Sequence, residues 1–203
     1  MKIICIGRNY SEHAKEMNSE VPDVPMFFMK SDVSILRPGN PFFYPNFSKD
    51  IHYECEIVVK INRVGKNIAE KFAHKYYSEI GLGIDFTARD LQKKCKEMGH
   101  PWEIAKSFEG SAPISNEFIP TAVLDLHNIA FSLTKNNKLV QTGNTKDMIF
   151  NIHQLIAYIS QFMTLKKGDL IYTGTPAGVG PVIIGDSLKG YIGEKEMFSV
   201  KIK

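Results

Sequence analysis

His52-Tyr53-Glu54-Cys55-Glu56 runs directly into Ile57-Val58-Val59-Lys60-Ile61, and this join decides how the chain is read. Ile57, Val58, Val59 and Ile61 are strand formers, so the spacing predicts a β-strand over Ile51–Ile61. Side chains alternate along a strand, which turns Glu54 and Glu56 to one face together with His52. Two like charges so close repel each other. A cation between them removes the conflict. Asp85, at the end of a second strand-like run, supplies a third oxygen donor. Three carboxylates with no Cys or paired-His pattern suit a hard ion, Mg²⁺ or Mn²⁺, that keeps positions open for substrate. The alternative is a solvated strand face. His52 reads either as a ligand or, in preference, as a group hydrogen-bonded behind the ligands.

The second run is Ser78 to Phe86, with Ile80, Leu82, Ile84 and Phe86 on one face and Gly81, Gly83 and Asp85 on the other. Small residues beside an acid leave room for an ion or ligand to approach the backbone. Thr87-Ala88-Arg89-Asp90 has the form of a capping box, with Thr87 as N-cap, and Gly99 and Pro101 close the helix. Further elements are a strand over residues 1–7, one helical turn at Ser11–Glu16, a strand over Pro25–Lys30 and a helical stretch over Ala69–Tyr77. Residues 129–141 predict a hairpin across Lys135-Asn136-Asn137. Asn151 to Met163 reads as a helix, because Ile152, Leu155, Ile156, Ile159 and Met163 recur at helical spacing after an Asn N-cap. The tail returns to strand over Asp169–Thr173, Asp186–Ile192 and Glu196–Ile202. Mostly strands with few helices argue against a doubly wound sheet and for a β-rich α+β fold.

At 203 residues, with no internal repeat or linker, the chain is expected to form one domain, residues 1–203. The net charge of +3 comes without a Lys/Arg block, which argues against a nucleic-acid surface and is compatible with a small anionic substrate. No apolar run is long enough to span a bilayer. Met1–Gly7 reads as a first strand rather than a signal-peptide core. Cys5, Cys55 and Cys95 form no CxxC and read as reduced thiols of a cytoplasmic protein.

His13 and Glu16 share a face of their turn, where the carboxylate can orient the imidazole as a base; an exposed polar turn is the alternative. Lys30, Arg89, Gln92, Lys106 and Thr175 are candidate substrate contacts. Lys106 sits among apolar neighbours, and Arg89 opposes the dipole of its own helix, which calls for a carboxylate partner. Thr173-Gly174-Thr175-Pro176-Ala177-Gly178-Val179-Gly180-Pro181 is glycine-rich but is neither a Walker A loop nor a dinucleotide fingerprint. Its backbone N–H groups, Gly174 among them, can cradle a carboxylate.

Taken in order, Gly7-Arg8-Asn9-Tyr10, His13 and Glu16, Phe28-Met29-Lys30, His52–Glu56, Asp85–Asp90 with Gln92, Trp102 with Ala105-Lys106-Ser107-Phe108, and Thr173–Gly180 resemble the fumarylacetoacetate hydrolase family, in its short acylpyruvase and oxaloacetate decarboxylase branch. The resemblance implies a β-sandwich roll with a few peripheral helices and a homodimer. It implies Mg²⁺ or Mn²⁺ held by Glu54, Glu56 and Asp85, with His13 and Glu16 on a lid of about residues 8–25. It implies hydrolysis of a C–C bond in a 3-acylpyruvate or related 2,4-dioxo acid. His13 would activate water, Lys106 would stabilise the oxyanion, and Thr175, Gly174, Arg89, Gln92 or Lys30 would hold the substrate. Oxaloacetate decarboxylation or keto–enol tautomerisation through the same enolate is the alternative, and a non-catalytic metal- or ligand-binding module the third reading. Ser31-Asp32 departs from the family's usual Pro then Ser or Thr.

Overall fold

Ile57, Val58 and Val59 are fully buried, and the strand that carries them lies inside a six-stranded sheet. The structure is a computed structural model that describes residues 1–17 and 20–203. The chain begins with β1 (Ile3–Gly7), α1 (Ser11–Glu16), β2 (Met26–Lys30), β3 (Ile35–Leu36), β4 (Ile51–Tyr53), β5 (Cys55–Ile61), β6 (Tyr77–Ile84), β7 (Thr87–Ala88) and α2 (Arg89–Met98). It continues with α3 (Glu103–Lys106), β8 (Ala112–Pro113), β9 (Ile119–Pro120), β10 (Ala130–Lys135), β11 (Lys138–Asn144) and α4 (Ile152–Phe162). The last strands are β12 (Leu170–Tyr172), β13 (Gly180–Pro181), β14 (Ser187–Ile192) and β15 (Lys195–Lys201).

The large sheet has the order β2-β1-β12-β5-β6-β9 and is antiparallel except where β1 lies beside β12. A four-stranded antiparallel sheet has the order β11-β10-β14-β15. Ile57, Val59, Leu82 and Ile84 from the first meet Phe131, Leu133, Leu188 and Phe198 from the second in one buried core. Burial of a Leu, Ile or Phe side chain stabilises a fold by about 1.5–3 kcal/mol, so this shared layer holds the sheets together. The β-rich α+β architecture expected from the sequence is the one observed. The helix α4 adds its Leu155, Ile156 and Ile159 face to the same core. Its N-terminus carries the full capping box, with Asn151 Oδ1 accepting from Gln154 N and Gln154 Oε1 from Asn151 N.

Four local readings change. The strand expected over Ile51–Ile61 splits at Glu54: β4 pairs with β13 and β7, whereas β5 joins the large sheet. The Ala69–Tyr77 helix is a 3-10 segment over Glu70–Lys75, and Tyr77 already belongs to β6. The capping box at Thr87 does not form. Ala88 is the N-cap, and the Arg89 N–H donates instead to the Asp50 carbonyl at 2.8 Å. Asp90 turns away to accept from Ser48 Oγ at 2.7 Å. Finally, α3 has no counterpart in the sequence reading, since its four residues are too few to show a period.

Candidate active site

Glu54 sits at the break between β4 and β5, Glu56 on β5, and Asp85 directly after β6. The β5–β6 register sets Cys55 against Ile84 and Glu56 against Gly83. The Asp85 N–H donates to the Glu54 carbonyl at 2.8 Å, which fixes the corner. One carboxylate oxygen from each of the three acids lies within 4.8 Å of the others. Exposure is 5% for Glu54 and 1% for Glu56 and Asp85. Gly81 and Gly83 do not open the backbone to an ion, as the sequence reading expected. Their missing side chains make room for Phe118 and Tyr172, whose rings come within 2.7 and 2.6 Å of where a Cβ would stand.

Cations meet two of the acids. Lys106 Nζ donates to Glu54 Oε2 at 2.8 Å, Asp85 Oδ2 at 2.7 Å and Thr87 Oγ1 at 2.6 Å, which uses all three of its protons. Arg89 donates to Glu54 Oε1 at 2.6 Å and to Gln92 Oε1 at 2.8 Å. Glu54 is thus the carboxylate partner that the helix position of Arg89 called for. Burial alone would raise the Glu54 pKa, but Lys106 and Arg89 outweigh it and hold the carboxyl well below the usual range. Burial lowers the Lys106 pKa, and Asp85 and Glu54 reverse this, so the ammonium stays charged.

Glu56 is different. It forms no ion pair among the described residues and accepts a 2.7 Å hydrogen bond from Gly174 N. Burial first, then repulsion from Asp85 and Glu54, pushes its carboxyl well above the usual range. Asp85 Oδ1 lies 2.8 Å from Lys30 Nζ but is buried with no aligned hydrogen bond. An acid short of positive charge, beside a neighbour with an oxygen to spare, fits a divalent ion. Mg²⁺ or Mn²⁺ suits an all-oxygen donor set.

His13 Nδ1 stands 3.1 Å from Glu16 Oε2, and Glu16 Oε1 accepts from Gly178 N at 3.1 Å. His13, Glu54, Glu56, Asp85, Arg89, Gln92, Lys106 and Thr175 line one cleft, with about 430 Å³ of empty space. The structure therefore brings together eight of the residues singled out in the sequence. Others lie apart. Lys30 is fully buried behind Asp85, with its ammonium against the carbonyls of Phe86 at 3.1 Å and Ser111 at 2.9 Å and against that of Lys106, and it is not on the cleft wall. Gly174 spends its N–H on Glu56. The glycine-rich loop does cradle carboxylates, but they are the protein's own, Glu56 and Glu16. His52 does not reach the acids, because the strand breaks before Glu54; its Nε2 lies 2.8 Å from Asp50 Oδ1. Its pKa is lowered by burial and by Arg89, against Asp50. The helical turn of the expected lid forms α1, whereas residues 18 and 19 of that segment lie outside the described residues.

Sequence reasoning missed Arg8, Lys96 and the role of Trp102, all on the cleft wall. It also missed Gln141, which accepts from Cys55 N at 3.0 Å and donates to Thr175 Oγ1 at 3.0 Å, tying β11 to the site. The Gly7-Arg8-Asn9-Tyr10 run was conspicuous, but nothing in it said where Arg8 would point.

Buried acids gathered at the end of a sheet, opening on a histidine held by a glutamate, are the furniture of an enzyme and not of a structural β-sandwich. The fumarylacetoacetate (FAA) hydrolase C-terminal family model matches residues 2–203, and the chain belongs to this family. It is 40% identical over 202 residues to mitochondrial oxaloacetate tautomerase FAHD1 of Bos taurus, covering 99% of this chain and 90% of that protein. It is 44% identical over 190 residues to the mitochondrial oxaloacetate decarboxylase of Dictyostelium discoideum, covering 93% and 87%. The crystal structure of fumarylpyruvate hydrolase from Pseudomonas aeruginosa in complex with Mn²⁺ and pyruvate superimposes with a TM-score of 0.93 at 34% identity, covering 100% of this chain and 89% of that one.

Proposed function

We propose that this chain interconverts the keto and enol forms of oxaloacetate, with a divalent ion on Glu54, Glu56 and Asp85. One observation carries this choice over hydrolysis. All three Lys106 protons are already engaged by Glu54, Asp85 and Thr87, so no ammonium proton is free to meet a tetrahedral oxyanion. Proton transfer at carbon needs only a base within reach. With its Nδ1 proton directed at Glu16, His13 presents Nε2 as that base on the cleft wall. When bound, Mg²⁺ or Mn²⁺ supplies the positive charge that stabilises an enolate. In the enol-to-keto direction, protonated His13 delivers its Nε2 proton to C3 while the enol hydroxyl proton leaves to solvent. Solvent then restores the His13 proton. Arg89, held by Glu54, stands on the wall to orient the C1 carboxylate, and the Thr175 hydroxyl beside it is fixed by donating to Cys55 O at 2.9 Å and accepting from Gln141. The tautomerase and decarboxylase relatives support this reading.

The second reading is hydrolysis of a 3-acylpyruvate, supported by the likeness to fumarylpyruvate hydrolase. Here His13 would deprotonate water, and Lys106 would have to exchange a carboxylate for the oxyanion. EDTA-treated protein, given back Mg²⁺, separates the two. The expected result is a metal-dependent rise in keto–enol exchange, followed by the ultraviolet band of the enol. His13→Ala should reduce it by about 10²-fold or more while calorimetric Mg²⁺ affinity holds. Faster release of pyruvate from acylpyruvates, identified by mass spectrometry, would favour the second reading. No metal-dependent turnover in either assay would sink both.

A further inference from the structure

Arg8 has a φ of 58°, in the left-handed region that L side chains avoid. Among the described residues, the other non-glycine residues with positive φ, Asn67, Asn136 and Asn137, are asparagines, which tolerate it. An arginine there is held by its surroundings. Asn9, the next residue, is clamped: its Nδ2 donates to Thr173 O at 2.8 Å and Phe150 O at 3.0 Å, and its Oδ1 accepts from Phe150 N at 2.8 Å. Gly174 closes the trap, since a Cβ on it would stand 2.7 Å from that of Asn9. Strain kept in place by so many contacts marks a side chain whose direction matters.

Arg8 points to the same cleft wall as Lys96, whose ammonium lies 5.5 Å over the Trp102 ring. Neither cation forms an ion pair among the described residues, whereas Arg89 and Lys106 beside them are paired with acids. Partial burial, then the charges of Arg8 and Arg89, push the Lys96 ammonium below its usual pKa. Like charges are therefore crowded, and the acid that opposes them at Lys96, Glu54, is already paired with Arg89 and Lys106. The three carboxylates are almost completely buried, whereas Arg8 is half-buried and Lys96 exposed, so the unbalanced charge lies on the solvent side of the acids. A ligand that places a keto acid at the inner acids has its far end here.

We propose that Arg8 and Lys96 bind a second, distal carboxylate of the substrate and so select a 2-keto dicarboxylate over a 2-keto monoacid. This rests on the 2-keto acid reading above. An arginine and a lysine converging on one carboxylate form charge-assisted hydrogen bonds, and a neutral tail in the same place gains none of them.

The test compares two ligands with one carbon skeleton: oxaloacetate, which ends in a carboxylate, and 2-oxobutyrate, which ends in a methyl. Trp102 is the single tryptophan, so its fluorescence reports binding at this wall in the Mg²⁺-loaded protein. Wild type should bind oxaloacetate at least about tenfold tighter. Arg8→Gln and Lys96→Met should each lower that ratio about tenfold, the scale of one charge-assisted hydrogen bond. Arg8→Gly accepts the positive φ, so it should melt no lower than wild type and still lose the ratio. Because a ratio is read, uniform damage to the protein cancels. Equal binding of the two ligands by wild type, or variants that keep the ratio, would overturn the inference alone. Failure of wild type to bind either ligand would remove the 2-keto acid reading, and the inference with it.

Discussion

Lys30 shows how a residue of the right type ends in a different task. The sequence made it a substrate contact; the fold seals it behind Asp85. Its ammonium balances the charge of Asp85 and donates to several backbone carbonyls where water does not reach. Removing one partner of a buried ion pair leaves the other uncompensated, at a cost of about 3–5 kcal/mol. Lys30→Met should lose that much in chemical denaturation of the metal-free protein. A loss below about 1 kcal/mol would show that the ammonium is not part of the framework. The acids themselves were legible, because two glutamates at alternate strand positions are a chemical conflict visible without coordinates. His52 was not, because the alternation that carried it to the same face stops where the chain leaves one sheet for another.

At the scale of elements, α4 was read correctly from its apolar spacing and its Asn cap, which act within a few residues of each other. The hairpin of β10 and β11 was equally local, with Asn136 and Asn137 both at positive φ in its turn. Thr87 and Asp90 misled for the opposite reason. Their side chains are claimed by Lys106 and Ser48, both distant in sequence. The first turn of α4 also carries a pH response. His153 accepts or donates at 3.0 Å with Tyr77 OH, and its pKa is lowered by burial, then by His74 and His127, against Glu70. A histidine whose folded pKa lies below its unfolded value of 6.5 contributes stability that is whole above that value. The contribution is lost as pH falls through the lowered folded value. Denaturation midpoints should therefore fall between about pH 7.5 and about pH 5.5, and His153→Gln should flatten that slope. An unchanged slope would place the response elsewhere.

For the molecule as a whole, the acid cluster is a joint. Glu54 ends the run of β4, Glu56 belongs to the large sheet, and Asp85 leads from β6 toward α2. An ion that binds all three in the folded chain and not in the unfolded one must stabilise the fold, by about 2.7 kcal/mol at a hundredfold excess over Kd. For a chain of this size that corresponds to a rise in Tm of roughly 5–10 °C. The shift should appear when Mg²⁺ is added to EDTA-treated protein in a thermal melt, and Asp85→Asn should remove it. A melting temperature indifferent to saturating Mg²⁺ would show that these acids hold no ion.

The sequence by itself determined the β-rich architecture, the three acids and the histidine–glutamate pair. The strands and the alternate glutamates follow from residue type and short-range period, which survive whatever the chain does elsewhere; the roles of His13 and Glu16 rested on the family resemblance. Only the tertiary structure decided which cations face those acids, that Lys106 has no proton to spare, and that the glycine-rich loop cradles Glu56 and Glu16. It alone brought the strained Arg8 beside Lys96 on the open side of the cleft. The direction of a long cationic side chain depends on groups far away along the chain, and no local pattern of residues records it.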